Sequence, residues 1–408
     1  MPRILRIINR FNLGGPTHNA AYLTKYLPDT YETLLVGGAQ EASEEGSGHI
    51  LSSMGVKPLV LPEMQREVAP WRDRTAYRRI KQLIREFRPD IVHTHAAKAG
   101  AVGRMAASEL GVKAIVHTFH GHVFHSYFGQ LRTAMYKNIE RFLARRSHGI
   151  VAISDKQKRE LVDEHRICPA DKVSVIPLGF DLSKFQQEQE AKRSLFRRVY
   201  GLADDEVAVG IVGRLVPVKN HDLFLNAMKD VRERTGRRVR AFVVGDGEER
   251  ERLEGVTREL GLSLVQGPYF NGHGFGHGVN GHPMTERADV TFTSWIKEID
   301  IVNAGLDVVA LTSLNEGTPV SLIEAQAANK PVVSTKVGGI ENVVIEGRTA
   351  LLSPPEDAAA FGANLLRVVE DDGLRRRMAH DGWDHVHQRY HYTRLVADTA
   401  ALYERLLD

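Results

Sequence analysis

A single cysteine, Cys168, stands in 408 residues. One thiol forms no intramolecular disulfide, so a fold stapled by cross-links is excluded, and the usage fits a reducing compartment. Long apolar runs are missing as well. None approaches the roughly 20 residues that span a bilayer, and Met1–Ile8 carries too short an apolar stretch for a secretion signal. Net charge is scarce: 54 Lys and Arg against 51 Asp and Glu leave +3. With so modest a charge and no recognised binding motif, a nucleic-acid binder is disfavoured.

What is present reads as a folded soluble protein of two or three domains, with 42% hydrophobic and 26% charged residues. The near-neutral total hides an asymmetry. Residues 1–182 carry 26 basic and 18 acidic residues, a net +8, and the remainder a net −5. Opposite bias in the two halves fits two domains that meet different partners.

Short apolar, β-branched runs alternate with helical patterns. Ile4–Ile8, Thr33–Val36, Leu59–Leu61, Ile91–His93 and Ala114–Thr118 read as buried strands of a parallel sheet. Between them Tyr77, Ile80, Leu83, Ile84 and Phe87 recur at helical spacing. The rhythm continues through Gly149–Ser154 and Val173–Pro177, then pauses at Leu178-Gly179-Phe180-Asp181. A charged stretch to about Arg198 is the expected domain junction. A second series runs through Val207–Val212, Ala241–Val244, Val290–Thr293, Val308–Thr312 and Pro331–Thr335. The expectation is an α/β chain of two doubly wound parallel-sheet domains, 1–182 and 183–384, followed by a terminal amphipathic helix in 385–408. The segment 271–283, rich in glycine and histidine, breaks the pattern and reads as an inserted loop of unassigned function.

Ligands of such sheets bind at the carboxyl ends of strands. The first strand leads into Gly14-Gly15 and a helical stretch, where a close backbone approach and free N–H groups suit an anion such as a diphosphate. The spacing is not Gly-x-Gly-x-x-Gly, and no acidic residue plainly ends the second strand, which disfavours an NAD-dependent dehydrogenase. Gly213-Arg214-Leu215-Val216-Pro217-Val218-Lys219-Asn220 follows a strand and brings two cations to one loop, enough to neutralise a departing diphosphate. In Ser313-Leu314-Asn315-Glu316-Gly317-Thr318-Pro319, Thr318 suits an N-cap and Pro319 the first helical position. The N–H groups of Gly317 and Thr318 would then face a ligand. Glu324, on the second turn and with seven residues between it and Glu316, can accept two hydrogen bonds from a vicinal diol such as a ribose.

The Glu-x7-Glu element, the Gly-Arg-Leu…Lys-Asn loop, the early Gly-Gly turn, Pro177-Leu178-Gly179-Phe180-Asp181 and Val332–Gly339 together resemble the retaining glycosyltransferases of family 4. The resemblance covers nearly the whole chain. It implies a GT-B architecture, two Rossmann-like domains facing a cleft, with the last helix returned to the first domain. It implies transfer of a sugar from a UDP- or GDP-type donor, with no metal and no other cofactor. By matching position, Arg214 and Lys219 would hold the diphosphate, Glu316 and the backbone after it the sugar, and Glu324 the ribose. Gly15 would let its loop close over the phosphates. Of the two histidines around the fifth strand end, His120 is the choice to face the transferred sugar, with His117 the alternative, since residues three apart on a strand point to opposite faces.

Other features fit around this reading. His117, His120, His122, His125, His273, His277 and His282 invite a metal, but none adds the cysteine or carboxylate spacing that structural zinc sites use. Cys168 has no histidine partner that would make it a nucleophile. Residues 72–88 carry seven basic residues against Asp73 and Glu86, and Arg132, Lys137, Arg141, Arg145 and Arg146 mark a second basic helix. Such helices suit anionic headgroups, so a cytoplasmic chain touching the inner face of the cell membrane and acting on a saccharide or lipid-linked acceptor in bacterial polysaccharide synthesis is expected. The rivals are a sugar-nucleotide epimerase of the same fold and a nucleotide-sugar-binding protein without transfer activity.

Overall fold

The computed structural model describes residues 1–11, 15–39, 48–65, 69–120, 130–267, 284 and 286–408. The segment 271–283 and Gly14 lie outside them. The chain divides into two compact units, one made of Met1–Phe180 with Arg389–Asp408 and the other of Asp181–Gln388.

The first unit holds seven strands, β1 (Arg3–Arg10), β2 (Glu32–Gly38), β3 (Leu59–Val60), β4 (Ile91–His95), β5 (Ala114–Phe119), β6 (Gly149–Ala152) and β7 (Val173–Val175). Their order is β3-β2-β1-β4-β5-β6-β7, and every pair is parallel. The central strands are apolar over most of their length because helices cover both faces. Between β1 and β4 the order reverses, and at such a point the crossovers leave to opposite sides and a crevice opens at the carboxyl ends. Ile8 pairs with His95 there, and His95 with Thr118.

The C-terminal helix Tyr392–Leu407 belongs to this unit. Its buried face, Leu395, Val396, Leu402 and Tyr403, packs with Ile4, Tyr22, Leu23 and Val151. Gly179 explains part of the Pro-Leu-Gly-Phe-Asp element. A Cβ there would stand 2.7 Å from Leu395 Cβ and 2.9 Å from Tyr392 Cα, so only a bare backbone lets the helix this close. The helix is also held by Arg394, whose guanidinium donates to the carbonyls of Pro177 (2.6 Å) and Leu178 (2.9 Å).

The second unit repeats the plan with β8 (Val207–Val212), β9 (Val239–Val244), β10 (Leu264–Gln266), β11 (Val290–Phe292), β12 (Val308–Leu311), β13 (Val332–Thr335) and β14 (Ala350–Ser353) in the order β10-β11-β9-β8-β12-β13-β14. All pairs are again parallel. Its crevice lies at the carboxyl ends of β8 and β12.

The charged stretch expected as a junction is not a free linker. Residues Gln189–Val199 form a helix of the second unit, with Phe196 buried and with Lys192 paired to Asp300 (2.9 Å) and Arg193 to Asp307 (2.8 Å). Its polarity is that of an amphipathic helix whose partners lie about a hundred residues onward. Among the described residues, no helix is long and apolar enough to cross a membrane.

The Gly179 contact is testable. Gly179→Ala overpacks the C-terminal helix against backbone and is expected to lower the stability of the first unit by about 1–3 kcal/mol. Chemical denaturation followed by a probe in Tyr392–Leu407 checks it, and an unchanged midpoint would contradict the close approach.

Candidate functional site

The carboxyl end of β8 runs into a loop shaped by its own hydrogen bonds. Pro217–Lys219 makes a single 3-10 turn, and Asn220 adopts the left-handed conformation before the helix His221–Arg234 begins. Neighbouring loops hold this one in place. The Leu215 N–H donates to the Asp246 carbonyl (3.0 Å), and the Leu314 N–H donates to that of Val218 (2.8 Å). Thr312 Oγ1 donates to the Lys219 carbonyl (2.9 Å).

Lys219 and Glu316 meet. The Lys219 ammonium pairs with Glu316 Oε1, and the two side chains are largely shielded, with 20% and 10% of their surface exposed. Ser313 Oγ donates to the same oxygen (2.6 Å). Behind the pair, Thr335 Oγ1 donates to the Ser313 carbonyl (2.7 Å), and the Gly339 N–H to the Glu316 carbonyl (2.9 Å). The Gly338-Gly339 pair is what permits this stacking. A Cβ on Gly338 would lie 2.0 Å from the Glu316 carbonyl oxygen, and one on Gly339 would lie 1.7 Å from that of Gly317. Arg214, by contrast, is exposed and makes no ion pair among the described residues. Two cations at one strand end therefore differ in state, one already matched to a carboxylate and one open to an anion.

The helix after Glu316 starts later than its sequence suggests. It spans Val320–Ala327, and Pro319 (φ −73°, ψ 95°) is the N-cap residue, not the first helical one. Thr318 lies outside the helix and is not its cap. An extended ψ at Pro319 delays helical geometry by one residue, so the open N–H groups at the helix start are those of Val320 and Ser321 rather than Gly317 and Thr318. Glu324 sits on the second turn as expected. Burial pushes its carboxyl up to about 7, with Asp300 adding to the shift and Lys184 opposing it. Its carboxyl has no hydrogen-bond partner among the described residues, which suits a group that would accept from two hydroxyls.

In the first unit, Gly15 opens the helix Gly15–Tyr26, with Leu178 3.3 Å from where its Cβ would stand. His117 and His120 separate as strand alternation demands. His117 is buried against the helix Ala97–Glu109, its Nδ1 bonded to Thr94 Oγ1 (2.8 Å) and its ring edge against Gly100. His120, one residue past β5, instead bonds through Nε2 to His95 Nδ1 (3.0 Å) at the end of β4. Burial lowers the His120 imidazole to about 3, so it is neutral at every physiological pH.

Sequence reasoning missed two groups. His95 was hidden because it ends a buried strand, although the His-x-His pattern of β4 was visible. The Gly245-Asp246-Gly247 turn after β9 also belongs to the rim, where Asp246 accepts from Ser294 Oγ (3.0 Å) and pairs with Arg250 (3.3 Å). A Gly-x-Gly directly after an apolar run was its signal. Burial raises the Cys168 thiol to about 11, which leaves it unreactive. Among the described residues, no three His, Cys, Asp or Glu side chains come together as a metal would require. His122, His125, His273, His277 and His282 lie outside the described residues.

Comparison with known proteins bears on the family and the fold. Residues 13–184 match the model of Glycosyltransferase Family 4, and residues 192–266 and 274–371 match models of Glycosyl transferases group 1. The chain is 29% identical over 320 residues to the UDP-Gal:alpha-D-GlcNAc-diphosphoundecaprenol alpha-1,3-galactosyltransferase of Escherichia coli, covering 78% of this chain and 76% of that protein. It is 30% identical over 303 residues to a D-inositol 3-phosphate glycosyltransferase of Nocardioides sp., covering 71% and 62%. In structure it is similar to Anabaena HepE in complex with UDP, with a TM-score of 0.77 at 20% identity over 99% of this chain and all of that one. A glycosyltransferase from Rickettsia africae superposes with a TM-score of 0.78 at 16% identity, over 100% and 99% of the two chains. With its first half and most of its second matched by glycosyltransferase models in the order a GT-B protein requires, the chain belongs to the glycosyltransferases of the family 4 type.

Proposed function

We propose that the chain moves a sugar, with retention at the anomeric carbon, from a UDP- or GDP-sugar to a saccharide or lipid-linked acceptor in bacterial polysaccharide synthesis. The observation that carries this is the shielded Lys219–Glu316 pair beside the unpaired Arg214 at the carboxyl ends of β8 and β12. Breaking the anomeric C–O bond leaves positive charge on the sugar and negative charge on the diphosphate. Arg214 and Lys219 stabilise the second, and Glu316 holds the sugar. The acceptor oxygen forms the new bond to the anomeric carbon as the phosphate oxygen leaves, and that phosphate oxygen takes the acceptor's proton. No nucleophile–base pair is then needed. His120 is the group assigned to the transferred sugar, and Glu324 to the ribose. The Escherichia coli relative, by its name a UDP-Gal enzyme with a diphosphoundecaprenol acceptor, supports both the donor and the lipid-linked acceptor.

The first unit has a surface suited to such an acceptor's membrane. On the helix Gln130–Arg146, Met135, Ile139 and Phe142 are exposed at helical spacing and border a groove of about 630 Å³ with Ala101, Met105 and Leu143. The helix's one acidic residue, Glu140, is turned inward and paired to the buried Arg104 (2.7 Å). Lys137, Arg145 and Arg146 therefore face no acid of their own helix, and Arg146 lies over the Phe142 ring at 3.6 Å. Arg141 is different, since it donates to the carbonyls of His165 (2.8 Å) and Arg166 (3.1 Å) and serves the fold.

Lys219→Ala and Glu316→Ala are each expected to lower kcat by about 100- to 1,000-fold in a transfer assay with candidate UDP- and GDP-sugars, as for loss of one charge-stabilising group. Unchanged turnover in both variants would overturn the transferase reading. Interconversion of the nucleotide sugar without an acceptor would favour the epimerase instead.

Glu324 makes a pH-dependent prediction. Its folded value of about 7 exceeds the unfolded one of about 4.3. The folded state therefore binds the extra proton between these values, and stability is lost as pH rises through 7. Glu324→Gln removes a penalty on the order of 3 kcal/mol at pH 8 but little near pH 4. Melting curves at the two pH values should show a higher Tm for the variant only at pH 8, together with weaker nucleotide binding.

Membrane contact is checked by co-sedimentation with vesicles of neutral and of anionic lipid. Binding is expected only to the anionic vesicles, falling as salt is raised. The triple variant Met135→Ser, Ile139→Ser, Phe142→Ser should abolish it with secondary structure intact.

A further inference from the structure

Beneath His120 the first unit contains a buried polar column that none of the roles above uses. Arg6, on β1, is fully buried and donates to Tyr403 Oη (3.1 Å) and to His93 Nδ1 (3.1 Å). A guanidinium has no lone pair to offer, so His93 Nδ1 is the bare, accepting nitrogen. Tyr403 Oη approaches the same nitrogen at 2.6 Å. The proton of neutral His93 is therefore on Nε2, which donates to Thr118 Oγ1 (2.7 Å). The His93 ring stacks on His95 with centroids 4.4 Å apart, and His95 stacks on His120 at 5.2 Å.

His95 and His120 share one hydrogen bond, His95 Nδ1 to His120 Nε2 at 3.0 Å. Desolvation first, then the neighbouring His93, keeps His95 well below the usual imidazole range, so both rings are neutral. Two neutral imidazoles joined in this way have linked tautomers. If His95 donates from Nδ1, His120 carries its proton on Nδ1. If His120 donates from Nε2, its Nδ1 is bare and His95 Nε2 is protonated. The two leftover nitrogens, His95 Nε2 and His120 Nδ1, are buried without a partner among the described residues. One carries a proton only when the other does not.

We propose that His95 is a positioning residue for His120: it holds the His120 ring by the Nδ1–Nε2 bond and, through the shared proton, sets whether His120 Nδ1 donates or accepts toward the transferred sugar. This rests on the assignment of His120 to that sugar. The fixed stack Arg6–Tyr403–His93 supports His95 from below, as a group one bond removed from substrate must be supported if it is to orient another.

The test uses the full-length enzyme and the transfer assay, with four variants. His95→Leu keeps the volume and removes the Nδ1 partner. It is expected to lower kcat by about tenfold or more while donor KM stays within about twofold. His95→Asn places an amide near the former Nδ1 and should recover most of the loss. His120→Ala should be impaired, and adding His95→Leu to it should cost little more, since the two act as one unit. Ring ¹⁵N spectra of the wild type should show one neutral His120 tautomer. Wild-type kcat in His95→Leu beside an impaired His120→Ala would overturn the positioning role alone. Wild-type kcat in His120→Ala would overturn the sugar assignment and this proposal together. Should His95→Leu fail to fold, His95→Asn and the spectra decide, and a His120 ring evenly divided between tautomers counts against the proposal.

Discussion

A parallel strand buried on both faces leaves almost no place for polar chemistry except its ends. In each unit that constraint is sharpest where the strand order reverses, because the crossovers on either side leave a crevice at the carboxyl ends. In the second unit the register Gly210 to Val309 and Ile211 to Ala310 carries β8 and β12 forward together. They then deliver Gly213–Lys219 and Thr312–Glu316 as neighbouring loops. In the first unit the register of β1, β4 and β5 sets Ile8 beside His95 and His95 beside Thr118, which brings His120 within reach of His95. Every group given a role in the chemistry follows from these two reversals.

Within the second unit, the Lys219–Glu316 pair joins two functions that look separate in the sequence. The cation proposed for phosphate and the carboxylate proposed for sugar neutralise one another, so a ligand that engaged one would change the charge felt by the other. The pair is shielded enough that removing either partner leaves an uncompensated charge, which is costly in a low-dielectric site. Activity losses in single variants therefore need a folding control, whereas the unpaired Arg214 carries no such complication.

Legibility followed burial. Strands buried on both faces announce themselves as continuous apolar runs, so the core of each sheet could be read from residues alone. The strands that escaped, β10 and β14, are the edges of the second sheet, three and four residues long and only partly buried. The charged helix Gln189–Val199 passed for a junction because its anchors, Asp300 and Asp307, lie far along the chain. Thr318 and Pro319 carry correct local preferences, yet the ψ of Pro319 shifted the helix start by one residue. Loop chemistry such as Glu316 and Lys219 was legible as residue types at strand ends. Their pairing was not, since side-chain contact across 97 positions leaves no local pattern.

The two strand-end regions differ in their charges, and the proposed reaction gives a reason. Around β8 and β12 lie the Lys219–Glu316 ion pair and the unpaired Arg214, proposed to meet a diphosphate that departs as an anion. Around β4 and β5 charge is suppressed: burial lowers His93, His95, His117 and His120, and the buried Arg6 adds to the effect on His93 and His95. A sugar losing its leaving group becomes electron-poor at the anomeric carbon. A protonated imidazole facing it would raise that barrier by like-charge repulsion, whereas a neutral one can still give or accept a hydrogen bond. The buried charge of Arg6 thus adds to the desolvation that keeps His93 and His95 neutral.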